Sequence, residues 1–198
     1  MIVGIDEVGR GAWAGPMVVG AVLLGDASIP GLTDSKKLTR KQREALDIQI
    51  RQQALAIGLG WVSAKQIDTI GLSAALKLAS RRALAHIRPD YTEIIIDGTI
   101  ALIDDPRVTL LPKADLLIPS VSAASIVAKV ARDNYMKHLD EVFPGYMFTG
   151  HVGYGTAAHR AAIETLGVSP LHRLSFAPLR RYRDTSVPDN SYYAKTKA

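Results

Sequence analysis

Short apolar runs alternate with stretches of helical periodicity along most of this chain. Ile2–Ile5 and Met17–Leu24 are dense in Val, Ile and Leu and read as buried strands, with Gly15-Pro16 punctuating between them. Thr39-Arg40-Lys41-Gln42 is a capping-box pattern that opens a polar amphipathic helix through about Ala54. Ala56–Val62 is a further strand candidate, and Ser63-Ala64-Lys65-Gln66 a second capping box. A helix from Ser73 carries Leu76, Ala79, Ala83 and Ile87 at helical spacing, and Pro89 is expected to stop it. Glu93–Gly98 reads as a short buried strand ending in an acid and a glycine, and Val108–Leu111 as another strand. Ser122 is expected to cap a helix running to about Leu139, and Thr156 to open one that Gly167 closes. Strands first, then alternation with helices, predict an α/β protein built on a mixed sheet.

Composition narrows the partner. The chain has 198 residues, room for one medium domain, and 47% of them are hydrophobic, enough for a substantial core. Lys and Arg number 24 against 19 Asp and Glu, a net charge of +5. That excess suits a polyanion partner only where basic motifs are localised. There is no cysteine, which excludes disulfides and thiolate zinc sites and suits a reducing compartment. The start shows no basic segment leading into a long apolar run, and no window has the roughly 20 apolar residues of a membrane span, so a cytoplasmic protein is expected.

The acids carry the first chemical signal. Asp6 and Glu7 crown the first strand, and Gly9-Arg10-Gly11 follows at once. Carboxylates on a stiff scaffold suit a hard divalent cation, and a glycine turn lets backbone N–H groups approach a phosphate closely. Asp97 ends its own apolar strand, and Asp115 lies 18 residues further on. Open α/β sheets bind ligands outside such strand ends. Four acids thus have a route to one site, although an acid at a strand end also simply opens a loop into solvent. Neighbours on a regular strand face opposite ways. Asp6 and Glu7 therefore share a site only if the strand ends or bulges there.

Other groups suit a nucleic-acid backbone. Ser35, Lys36 and Lys37 sit just before a helix start, where amines and a hydroxyl meet phosphates or merely solvent. Lys129 and Arg132 lie one turn apart, with Lys129 also placed to pair with Asp133. Ser122-Ala123-Ala124-Ser125 is small enough for another backbone to pass close by. Tyr154 stands between Gly153 and Gly155, free to stack on a base or sugar face or to be buried with its hydroxyl satisfied. His172 and Arg173 are adjacent and suit a phosphate or a helix end. Trp13 and Trp61 read as packing residues without a binding role.

Taken in order, these segments resemble ribonuclease HII over about residues 1–180. They are Gly4-Ile5-Asp6-Glu7-Val8-Gly9-Arg10-Gly11, Asp34-Ser35-Lys36-Lys37-Leu38, Ile95-Ile96-Asp97-Gly98, Lys113-Ala114-Asp115, Val121–Val130, Gly153-Tyr154-Gly155-Thr156 and His172-Arg173. The resemblance implies an RNase H-like fold: a five-stranded mixed sheet flanked by helices, with a small helical C-terminal part. It implies an endonuclease for the RNA strand of RNA–DNA hybrids that also cuts 5′ of single ribonucleotides in duplex DNA. The products would carry 5′-phosphate and 3′-hydroxyl ends, by a two-metal-ion mechanism using Mg²⁺ or Mn²⁺. By position, Asp6, Glu7, Asp97 and Asp115 would be the catalytic, metal-binding carboxylates. Gly9, Arg10 and Gly11 would contact the ribose 2′-hydroxyl and its phosphate. Tyr154 would stack beside the ribonucleotide, and Ser35, Lys36, Lys37, Ser122, His172 and Arg173 would complete the substrate site.

Many members of that family carry proline after Gly-Arg-Gly, where this chain has Ala12. The related ribonuclease HIII class carries an extra N-terminal domain, for which a catalytic strand starting at Ile2 leaves no room. The expected organisation is a catalytic domain over 1–183, monomeric and without a membrane partner, and a polar tail over 184–198 with the composition of a disordered segment. Two rival readings are a metal nuclease of the same fold with another target, such as a branched-DNA resolvase, and a non-catalytic hybrid binder.

Overall fold

A computed structural model describes residues 1–184, so the expected tail lies, from residue 185 onward, outside the described residues. Five strands form one mixed sheet: β1 (Ile2–Val8), β2 (Met17–Leu23), β3 (Ala56–Val62), β4 (Glu93–Asp97) and β5 (Val108–Leu111), in the order β3-β2-β1-β4-β5. β1 runs antiparallel to β2 and parallel to β4, and β4 runs parallel to β5. The helices are α1 (Arg40–Gln53), α2 (Ala64–Ile70), α3 (Leu72–Leu84), α4 (Ala114–Leu117), α5 (Pro119–Val142), α6 (Phe148–His151) and α7 (Ala157–Leu166), with 3₁₀ turns at Ser35–Lys37 and Ala177–Tyr182. Both predicted capping boxes form, at Thr39 with Gln42 and at Ser63 with Gln66.

Several boundaries differ from expectation. β1 continues to Val8, because its pairing with β2 persists through Glu7↔Val19 and Val8↔Val18. α5 starts at Pro119, a residue pre-set for the first helical turn, and Ser122 lies inside it. Its hydroxyl bonds back to the carbonyls of Ile118 and Asp115 and caps nothing. α3 ends at Leu84, ahead of Ile87 and Pro89.

The described residues fall into two compact units. The first comprises 1–8, 18–61 and 76–131 and holds nearly all of the sheet. Its core packs Val22 and Leu24 with Leu46 and Ile50 of α1 and Ala123, Ala124, Ile126 and Val127 of α5. Two glycines let α5 lie directly on the sheet. A Cβ on Gly4 would stand 2.2 Å from the backbone of Ser120 and Val121, and one on Gly20 2.4 Å from the carbonyl oxygen of Ala124. The small-residue run of α5 thus serves close backbone approach.

The second unit comprises 9–17, 62–75 and the residues from 132. Met136, Leu139, Phe143, Tyr146, Phe148, Ile163 and Leu179 build its separate core. Its loops are tied down by side chains. Asp68 of α2 accepts the N–H groups of Leu174 and Ser175 at 2.8 and 2.9 Å, and Asp140 accepts those of Phe148 and Thr149, opening α6.

Candidate active site

The acids belong to the first unit. β1 and β4 run in the same direction with Ile5 beside Ile96, so Asp6 and Asp97 emerge next to one another. Asp6 is buried and lies opposite Gly20 in the β1–β2 register, on the face covered by α5. The unbroken pairing through Val8 means that no strand end or bulge turns Glu7 to that face, and regular alternation sends it to the other. Glu7 remains close enough to Asp6 to disfavour its ionisation.

Asp6 is strongly perturbed. Burial pushes its carboxyl up to about 7, the Ser125 hydroxyl pulls it down, and the charges of Glu7 and Asp97 push it up further. Ser125 is also 2.9 Å from the Ser35 hydroxyl. Ser35 and Ser125 thus form a buried hydroxyl pair beside Asp6. Asp97 accepts the Ala114 N–H at 2.8 Å, fixing the start of α4 and with it Asp115. α4 is entered through Lys113 in the left-handed region at φ 62°, a costly state for a residue with a Cβ. Asp115 is buried, and desolvation, Asp34 and Asp97 raise its pKa while Lys36 lowers it. Asp115 and Asp34 are close enough to share a hydrogen bond, which needs a proton on one of them.

Lys36 faces these acids. Its burial disfavours the charge, but Asp34, Asp6, Asp115 and Asp97 together outweigh that and raise its pKa. Among the described residues no three His, Asp or Glu side chains are already gathered as a ligand set for a metal ion. The acids are coupled electrostatically without being closed into a cage. The set is all oxygen, partly desolvated and short of positive charge, and this chemistry fits a hard divalent cation.

The remaining residues singled out in the sequence separate by burial. Arg10, Gly11, Lys36 and Lys37 are exposed, and Tyr154 is half-buried. Ser35, Ser122, His172 and Arg173 are buried and bonded internally, which leaves them to position other groups. In the second unit Arg173 donates to the carbonyls of Gly15 and Arg10, at 2.9 and 3.0 Å. Arg132 is fully buried and donates to those of Pro16 and Val152, both at 2.8 Å, and of Ala14 at 3.2 Å. Two interior guanidiniums therefore hold the segment that begins Gly9-Arg10-Gly11. The Ala12 N–H, which proline would lack, closes a turn onto Gly9 at 3.3 Å.

The Tyr154 loop is held by histidines. Ser169 N–H donates to His172 Nδ1 at 2.9 Å, so the His172 proton sits on Nε2 and donates to His159 Nε2 at 3.1 Å. His159 then donates from Nδ1 to the Tyr154 carbonyl at 3.0 Å. Burial drives both histidines neutral, His159 to about 4 and His172 to about 3. Val152 sits in the left-handed region at φ 44°, held there by Arg132. Sequence reasoning missed Asp34, Ser125 and His159 as parts of this machinery, and took Arg132 for a candidate nucleic-acid contact where it is a buried clamp. Asp34 was visible within its own motif, and Ser125 follows Ser122 by one helical turn.

The model of the family "Ribonuclease HII" matches residues 3–179. A ribonuclease HII of Dichelobacter nodosus is 45% identical over 181 residues, spanning 90% of this chain and 95% of that protein. The ribonuclease H2 of Pyrococcus horikoshii OT3 superposes with a TM-score of 0.75 at 25% identity, covering 98% of this chain and 99% of that one. The ribonuclease HII of Archaeoglobus fulgidus, solved as a complex with PCNA, gives 0.76 at 26% identity, covering 94% and 98%. With its five-stranded mixed sheet and flanking helices, the chain belongs to the ribonuclease HII family and is a type 2 ribonuclease H, an endoribonuclease.

Proposed function

We propose that this endoribonuclease cuts the RNA strand of RNA–DNA hybrids and cuts duplex DNA on the 5′ side of a single embedded ribonucleotide, leaving 5′-phosphate and 3′-hydroxyl ends. The observation that carries this reading is the buried Asp6 beside Asp97 at two parallel strand ends, its ionisation opposed by burial and by neighbouring acids. Such a group needs a cation to stay charged at neutral pH.

The family is dependent on divalent metal, and we assign Mg²⁺ or Mn²⁺ to Asp6, Asp97 and Asp115, with Glu7, the next residue along β1 and on its other face, adding negative charge beside them. When bound, two such ions supply Lewis-acid activation of the attacking water and neutralise the departing 3′-oxygen. The chain's own residues do the rest. Ser125 holds the Asp6 carboxylate in place, and the Ala114 N–H does the same for Asp97. Lys36 tempers the repulsion among Asp34, Asp6, Asp115 and Asp97. Gly9, Arg10 and Gly11 would read the 2′-hydroxyl, the atom that distinguishes RNA from DNA, and Tyr154 would stack on the sugar. Lys37 would touch the backbone. Among the described residues no helix is long and apolar enough to cross a membrane. We further propose that residues 1–183 act as the catalytic domain of a monomeric cytoplasmic enzyme.

The test is a DNA duplex carrying one ribonucleotide, incubated with the protein and either Mg²⁺ or Mn²⁺. A nick 5′ of the ribonucleotide is expected, and Asp115→Asn should abolish most of it with the circular dichroism spectrum unchanged. A duplex left intact under both ions refutes the substrate assignment, and near-parental rates for Asp115→Asn remove that residue from the site.

A further inference from the structure

The second unit contains a cavity of about 340 Å³, lined by Trp13, Arg160, Ile163, Glu164, Arg181 and Tyr182 among others. Cavities of this size fall at the small end of those that hold organic ligands. Its walls alternate aromatic rings with guanidinium groups. Arg160 lies 5.9 Å from the centre of the Trp13 ring, and Arg181 lies 4.9 Å from that of Tyr182. Arg181 also donates to the Tyr182 hydroxyl at 2.9 Å. Glu164 is 4.0 Å from Arg181, a loose pairing between two exposed side chains. Ile163 and Leu179 close the floor and are buried.

Trp13 is held as a rigid plate. Its backbone N–H donates to the Gly153 carbonyl at 2.8 Å, and its backbone carbonyl accepts the Arg173 backbone N–H at 2.8 Å. The indole lies against Gly155, where any Cβ would stand 2.1 Å from the ring. The plate is thus fastened to the loop that carries Tyr154, and it follows Arg10 by three residues. A pre-organised aromatic surface loses little entropy when something stacks on it.

From this geometry we infer that the cavity is an accessory subsite for one nucleotide of a nucleic-acid strand. The base stacks on Trp13 or Tyr182, the flanking phosphate is gripped by Arg160 and Arg181, and Glu164 accepts an N–H of the base or a sugar hydroxyl. Two cations against one acid favour an anionic ligand, and flat faces beside guanidinium forks favour a planar base joined to a phosphate over a flexible carboxylate. The inference goes beyond the cleavage reaction and does not depend on the carboxylates.

The experiment uses the full chain with Trp61→Phe, which leaves Trp13 as the sole tryptophan of the two. A short single-stranded DNA oligonucleotide, AMP and an acidic peptide are titrated in turn with EDTA present, so that no cleavage intervenes, and indole fluorescence is read. Saturable quenching by the oligonucleotide, and more weakly by AMP, is expected. Combining Arg160→Ala with Arg181→Ala should weaken oligonucleotide binding about tenfold or more, the scale of one lost base–aromatic and guanidinium contact. Arg160→Lys should fall between. Both arginines are exposed, so unchanged circular dichroism is expected of each variant. Absent quenching, quenching indifferent to the double substitution, or an equal response to the acidic peptide overturns the assignment.

Discussion

Gly20→Ala tests the link between packing and the acid site. The added methyl would stand 2.4 Å from the Ala124 carbonyl oxygen and 3.1 Å from its carbon. Ordinary contact needs roughly 1 Å more, and the obstacle is helix backbone, which cannot rotate aside. Overpacking of this kind costs about 1–3 kcal/mol, against about 0.5–1 kcal/mol regained by replacing glycine in a strand. A net loss of about 1–2 kcal/mol follows, lowering the urea midpoint by roughly 0.5–1 M at a slope of about 2 kcal/mol per molar. A second consequence is local. Gly20 stands opposite Asp6, and the residue after Ala124 is Ser125, whose hydroxyl favours ionised Asp6. Pushing α5 outward weakens that bond and lets the Asp6 pKa rise further. The acid limb of the rate–pH profile should then move to higher pH. Gly150→Ala is the control, because nothing lies within 4 Å of its Cβ position and its φ is not positive. Urea titrations and cleavage rates across pH compare the three proteins. A Gly20→Ala midpoint within error of the Gly150→Ala midpoint would refute the packing argument.

The neutral His159–His172 pair makes the second unit acid-sensitive. Both pKa values are depressed on folding, so their stability is complete above about 6.5 and lost as pH falls toward 4 and 3. By pH 5 each should forfeit about 2 kcal/mol, at 1.36 kcal/mol per pH unit below 6.5. The measurement belongs in an Asp6→Asn background, because Asp6, raised to about 7, gains stability over the same range; a midpoint flat from pH 7 to 5 contradicts it. Tyr154→Ala should slow cutting at a single ribonucleotide by about tenfold or more while Tyr154→Phe keeps most of the rate, consistent with loss of one stacking contact. Equal rates for all three proteins would show that the ring is not used. Arg173→Met leaves the buried Gly15 carbonyl and the part-buried Arg10 carbonyl without this donor and should cost about 2–4 kcal/mol in a urea titration; a loss below 0.5 kcal/mol removes its clamping role.

The strands, the long helices and both capping boxes were legible because each rests on local pattern: apolar runs, helical spacing and a side chain that caps its own turn. α4 and α6 were not. Each spans four residues and starts from a left-handed Lys113 or Met147, where no glycine marks the turn. In the site, the types and order of the acids were readable, and so was the family. The direction each side chain faces was not. Lys36 looked like a phosphate contact and lies among acids. His172 and Arg173 looked like ligand groups and are interior struts. Arg132 looked like a backbone contact beside Lys129 and is an interior clamp, since arginine is ordinarily a surface residue and two of its three carbonyl partners lie more than 100 residues away in the chain.

Crystals soaked in MnCl₂ and measured at the manganese absorption edge would test the central claim most directly. An anomalous peak within ligation distance, roughly 2.0–2.3 Å, of carboxylate oxygens from both Asp6 and Asp97, lost in Asp6→Asn, is the result predicted. Full occupancy of manganese elsewhere on the chain, with no peak beside Asp6 and Asp97, would contradict it.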